Sequence, residues 1–324
     1  MELIGRSGRR TSPRKPFAVP ARSPARRRRA RVAAGPRPPR GMGWSITLSL
    51  LPAVLLFTAF FLVPLGVLVV TSLADWNGID FSYAGLDNFR ALLHDATFWK
   101  ALRNTALYSG AGVFIEVPLG IVVGIILAQH IRGWRVFRTI IFIPFVISGA
   151  AYALVFALFY NSRYGLLNCA LGLVGLDRGN DWLYSTSTAL PAVAATFVFI
   201  VGLTMVLVMA EIAAIPRELY EAAEMDGASQ LQRQWYLTVP LLRNVIGTCV
   251  LIHLLAYLGL FDLVYILTSG GPNDATVTLT LYAYRAYTNS DWGYANAIGV
   301  VTVVLGFIVI IGVRRAFRIG ERTL

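Results

Sequence analysis

The sequence predicts an all-α integral membrane protein that crosses the bilayer six times, with both termini in the cytoplasm. Three observations predict it. Of the 324 residues, 56% are hydrophobic and 14% charged, where a soluble domain carries about 25% charged residues. Six apolar stretches follow Trp44, each approaching the roughly 20 residues that carry a helix across a hydrocarbon core. The Lys and Arg outside those stretches, the N-terminal tail and C-terminal end included, fall mostly on one side, as they do on the cytoplasmic face of membrane proteins.

Residues 1–43 are rich in Arg, Pro, Ser and Gly and include the run Arg26-Arg27-Arg28-Arg29. No apolar periodicity appears there, so the segment reads as a disordered cytoplasmic tail. Its arginines suit a topology anchor beside anionic membrane lipid. A cleaved signal peptide fits poorly, because the basic stretch is very long and the apolar run after it is as long as a full span. Residues 44–324 form the membrane domain, with spans expected near 46–73, 105–129, 139–160, 189–212, 244–268 and 296–313. The spans must be helical because lipid satisfies no backbone N–H or C=O group. Pro52, Pro64, Pro118, Pro144 and Pro191 lie in or near them, where proline is tolerated more readily than in soluble helices.

Orientation follows from charge. With the N-terminus inside, 23 of the 29 Lys and Arg face the cytoplasm, 13 of them before Trp44. The outer loops hold the other six, and they carry Trp76, Trp99, Trp182 and Trp292, rings expected at the membrane interface. The net charge of +12 is mostly the tail and scattered loop residues, a distribution that argues against a nucleic-acid domain.

Several chemistries are excluded. Cys169 and Cys249 fall near opposite membrane faces, too far apart for a disulfide. His94, His130 and His253 lie in different segments and HExxH is absent, so a metal site is not expected. GxSxG is absent too, and His253 has no obvious Ser or Cys partner, which disfavours a membrane hydrolase. The only lysines are Lys15 and Lys100, neither preceded by Gly, so the chain has no phosphate loop of the GxxxxGK type.

The cytoplasmic segment at about 213–243 is unlike a simple connector. Pro216 suits a helix start, Glu218 and Glu221 complement the dipole of the first turns, and Gly227 suits a helix end. A short helix over 217–226 follows, then a turn and a second segment. Leu219, Ala222 and Ala223 share a face, and the alanines make it thin enough for another protein surface to approach. Two early carboxylates make the helix a poor binder of anionic lipid.

Here the chain resembles a known family. Glu221-Ala222-Ala223, Asp226-Gly227-Ala228 and Leu237-Thr238-Val239-Pro240 resemble the EAA loop of ABC importer permeases. Gly85-Leu86-Asp87-Asn88-Phe89, Phe98-Trp99-Lys100-Ala101-Leu102-Arg103-Asn104-Thr105, and Gly270-Gly271-Pro272-Asn273 through Thr276 with Gly293-Tyr294-Ala295 resemble its carbohydrate-uptake branch, the maltose and glycerol-phosphate type. The likeness runs from about residue 45 to the end. It implies the type I importer permease fold in a bacterial cell membrane. It implies that Glu221, Ala222, Ala223, Asp226 and Gly227 dock on a cytoplasmic ATPase dimer, which would bring the ATP and Mg. It also implies a second homologous permease and an extracellular or periplasmic solute-binding protein. The chain itself would carry no cofactor, and pairing with its own copy stays open.

The resemblance places sugar contacts mid-membrane on the helices flanking the EAA loop, without a motif to mark them. Chemistry selects His253 and Tyr257, four residues apart on one face, with Thr204 and Phe199 on the fourth span. Together they offer hydrogen-bonding groups and an aromatic surface for a sugar ring. The same polar groups could instead satisfy one another between helices. Glu116 lies mid-span, where a charge costs at least about 2.5–3.5 kcal/mol, and is read as a structural partner rather than a proton relay. Rival readings are an ABC permease for amino acids or peptides and an ion-coupled secondary transporter.

Overall fold

The computed structural model describes residues 42–175 and 180–317. The expected tail through residue 41, and Arg178, Arg318 and Arg322 from the charge count, lie outside the described residues. Two compact units part between Leu55 and Leu56. Helix α1, Met42–Phe57, belongs mostly to the first; the second unit begins at Leu56 and is described next by itself.

A π turn at Thr58–Leu62 leads into α2, Val63–Ser72. The turn sits just before Pro64, whose missing N–H would otherwise break the ladder. A two-stranded antiparallel ribbon follows, β1 Ala74–Trp76 and β2 Phe81–Tyr83. Then come α3 Asp87–His94 and α4 Ala96–Ala128. Helix α4 begins nine residues earlier than the expected span, because Asp95 caps it by accepting from Thr97 N–H at 2.8 Å. Its 33 residues reach about 50 Å, well beyond a hydrocarbon core of about 30 Å, so its first turns stand outside the membrane.

Helices α5 Trp134–Val146 and α6 Gly149–Phe159 are the expected third span, but they bend by 100° at the break between them. Ile147 is extended, and Ser148 restarts the chain as an N-cap. Helix α7 is Leu166–Leu173. The fourth span, Ala189–Ala214, consists of α8 Ala189–Ala195, a 3-10 turn at Thr196–Phe199, and α9 Gly202–Ala214. Then come α10 Arg217–Met225, α11 Gln230–Arg233, a π turn at Gln234–Thr238, α12 Val239–Leu241 and α13 Arg243–Leu258. The segment Gln230–Leu241 meets α13 at 64°. The expected fifth span, 244–268, is corrected: it breaks after Leu258, and α14, Asp262–Thr268, is a separate short helix that places Asp262 in a first turn. Helix α15 is Leu279–Thr288 and α16 is Trp292–Phe317. Among the described residues, four helices are long and apolar enough to cross a membrane, or up to six if each bent pair counts as one span.

Helix α4 packs against both α9 and α13. Small residues permit it. A Cβ on Gly120 would stand 2.5 Å from Cβ of Thr204, and one on Gly112 would collide with the Tyr257 ring. Such stripes let helix backbones approach in a membrane, where apolar side chains gain nothing by leaving lipid.

The outer end is held by the very stretches that carry the family resemblance. Asn104 Nδ2 donates to the carbonyls of Asp274, Ala275 and Val277 at 3.3, 3.1 and 3.0 Å. Its neighbour Thr105 accepts from Leu279 N–H at 3.0 Å. Asn88 Nδ2 donates to the carbonyls of Ser72 and Ala74 at 3.0 and 2.9 Å. Arg285 pairs with Asp274 at 2.6 Å across the Gly270-Gly271-Pro272-Asn273 turn. Asp95 accepts from the hydroxyls of Tyr282 and Tyr294. Trp76 and Trp292 meet edge to face at 4.9 Å, and Trp182 donates to Asn168 at 2.7 Å. Three of the four outer tryptophans thus pack loop against helix, beyond the interfacial role expected of them.

Candidate functional site

Local sequence explains the shape of the loop between α9 and α13. Pro216 stands extended before α10. The helix ends in a Schellman motif: Ala228 N–H donates to Ala223 O and Gly227 N–H to Glu224 O, each at 3.0 Å. That closure needs a left-handed residue, and Gly227 supplies it at φ +78°. Nothing lies within 4 Å of where its Cβ would be, so conformation rather than crowding calls for glycine here. Two residues on, Ser229 opens α11 through a capping box with Gln232.

Side chains then brace α10 to the bundle. Arg233 pairs with Glu224 at 2.8 Å. The hydroxyls of Tyr220 and Thr238 lie 3.0 Å apart, and Gln230 donates to Gln129 at the end of α4 at 2.8 Å. No residue of α10 is buried. Glu221, Ala222, Asp226 and Gly227 are exposed and Ala223 is half-buried. Beside them stand Met225, Leu231 and Tyr236, exposed by 87%, 68% and 82%. These apolar residues extend the surface beyond those singled out from sequence, and the signal for them is present: large apolar side chains in a connecting loop.

The residues chosen for a sugar site fall into two groups. Thr204, His253 and Tyr257 come together with Glu116 in a buried cluster on α9, α13 and α4. His253 Nε2 lies 2.7 Å from one Glu116 oxygen and 3.2 Å from Thr204 Oγ1. The Tyr257 hydroxyl donates to the other Glu116 oxygen. Exposure of Glu116, His253 and Tyr257 is 3%, 4% and 7%. The polar groups therefore satisfy one another within the chain in this conformation. Phe199 stands apart, 51% exposed at the end of its 3-10 turn, with its ring 5.6 Å from that of Phe156.

A family model for the inner-membrane component of binding-protein-dependent transport systems matches residues 118–318. The chain belongs to this family. It is a multi-pass component of a bacterial inner membrane. A probable ABC transporter permease of Bacillus subtilis, YurN, is 35% identical over 285 residues, 85% of this chain and 96% of the relative. The trehalose/maltose transport system permease protein MalF of Thermococcus litoralis is 34% identical over 266 residues, 82% and 89% of the two chains. The fold matches a chain in the crystal structure of a bacterial ABC transporter that imports the acidic polysaccharide alginate. The TM-score there is 0.76 at 22% identity, covering 87% of this chain and 97% of that one. The ABC permease family inferred from the EAA loop and the outer stretches is thus the family to which the chain belongs.

Proposed function

We propose that this permease is one half of the pathway of an ATP-driven, binding-protein-dependent sugar importer. The observation that carries the reading is α10, an exposed helix with a thin alanine face, capped at Gly227 and braced back to the bundle. Glu221, Ala222, Ala223, Asp226 and Gly227 dock on a cytoplasmic ATPase dimer, which brings ATP and Mg. A second homologous permease completes the path, and an external binding protein delivers the solute. Sugar as the solute rests on similarity to the trehalose/maltose permease and on the outer loop stretches.

The bracing suggests how force travels. Closure of the ATPase pair pulls on α10; Glu224–Arg233 and Tyr220–Thr238 pass the pull to the start of α13, and Gln230–Gln129 passes it to α4. These two helices share the Glu116 cluster. ATP can favour one state of the path only by binding it differently from the other. Phe199 is the accessible member of the proposed sugar contacts. Thr204, His253 and Tyr257 would meet a sugar in a state where α13 moves off α4.

Gentle affinity purification from native membranes, followed by mass spectrometry, tests the reading. Recovery of a P-loop ATPase, a second six-span permease and uptake that fails on ATP depletion is expected. A chain that purifies alone, with uptake abolished by a proton uncoupler instead, would overturn it.

A further inference from the structure

At the cytoplasmic end, behind α10, lies a cavity of about 700 Å3, within the size range of small-molecule sites. Its rim is basic: Arg138 on α5, Arg217 on α10, Arg233 on α11 and His130 after α4. No Asp or Glu lines it among the described residues. Arg233 is committed to Glu224, whereas Arg138 and Arg217 have no carboxylate partner among the described residues. The deeper wall is apolar, formed by Ile125 of α4 and Val206, Met209 and Ile212 of α9. Trp134, a residue type typical of the headgroup level, also lines the cavity.

A basic rim against an apolar wall, set at the inner interface between helices, is the pattern that recognises an acidic lipid headgroup. A soluble anion would use the rim and leave the wall wet. We propose that this cavity binds the phosphate of an acidic phospholipid from the inner leaflet, with Arg138 and Arg217 as the principal ligands and its glycerol and first acyl carbons along α4 and α9. Arg217 and Tyr220 face the cavity, whereas Glu221, Ala222, Asp226 and Gly227 do not line it. The docking residues stay outside the cavity, so lipid and ATPase can be held at once. The bound lipid ties α5 to α10 and makes the coupling helix sensitive to membrane composition.

The test is native mass spectrometry of the whole purified transporter, taken from nanodiscs containing phosphatidylglycerol or phosphatidylcholine. Phosphatidylglycerol should stay bound to the wild type where phosphatidylcholine does not. Retention should fall about fivefold for each arginine removed in Arg138→Gln and Arg217→Gln, and recover in Arg138→Lys. Arg132→Gln removes a charge from the same surface outside the cavity and should change nothing. Equal retention in all variants would overturn the proposal, as would an equal loss in Arg132→Gln, which would mark general surface charge. Displacement by millimolar inorganic phosphate, with no lipid retained, would assign the rim to a soluble anion instead.

Discussion

The carboxylate of Glu116 lies 2.7 Å from Nε2 of His253 with both side chains buried, and Tyr257 donates to its other oxygen. These residues are 137 and 141 positions apart in sequence, so the cluster fastens α4 to α13 directly. An ionised carboxylate only accepts, so against an ionised Glu116 the His253 Nε2 must carry a proton. Breaking such a pair from one side leaves an uncompensated polar group, at about 3–5 kcal/mol. Glu116→Leu should therefore lower the melting temperature of the purified transporter by several degrees. Glu116→Leu with His253→Leu should recover part of the loss, since removing both partners can be nearly neutral. A double variant that melts at the sum of the single losses would deny the coupling.

Asn104 holds three carbonyls of one loop with a single amide. Asn104→Asp is nearly isosteric but presents oxygen to oxygen at each contact. It should destabilise by about 1–3 kcal/mol and open residues 270–278 to limited proteolysis. Protection equal to wild type would show that Thr105 and the Arg285–Asp274 pair suffice to hold the turn.

Asp95 makes the outer cluster sensitive to acid. Burial raises its pKa, but hydrogen bonds from Tyr282, Tyr294 and the Thr97 and Phe98 backbones outweigh it and hold the carboxyl below its usual range. A depressed native pKa gives stability that is complete above the unfolded pKa of about 3.9 and lost as pH falls through the native value. The melting temperature of Asp95→Asn should therefore trail wild type at pH 7, and the gap should close below about pH 4. A gap constant with pH would remove the charge from the argument.

How much of this was legible in the sequence depends on range. Apolar length alone located the first, second, fourth and sixth spans, and Pro216 and Gly227 delimited α10 to within one residue of Arg217–Met225, because caps are local. Direction was not legible. Hydropathy cannot register the 100° bend between α5 and α6 or the break after Leu258, since both sides of each remain apolar. Nor could it separate the two uses of a mid-membrane His and Tyr, because their partner Glu116 sits on a distant helix. Asn104, Asn88 and Thr105 stood in stretches noticed for resemblance, while their physical role as clamps on loop carbonyls needed coordinates. The cavity behind α10 draws on five separate segments and has no sequence signature.

Gly227 offers the sharpest test of the coupling helix, because its φ of +78° and the open space around it separate shape from contact. ATP-driven sugar uptake should be measured in proteoliposomes carrying the purified transporter, in Gly227→Asn and Gly227→Arg, with membrane insertion checked in each. Asparagine tolerates the left-handed conformation and should keep most of the transport. Arginine adds bulk and charge to the docking surface, and should abolish uptake while insertion persists. Wild-type coupled uptake in Gly227→Arg would contradict the docking of α10 on an ATPase, and with it the account of how this permease is driven.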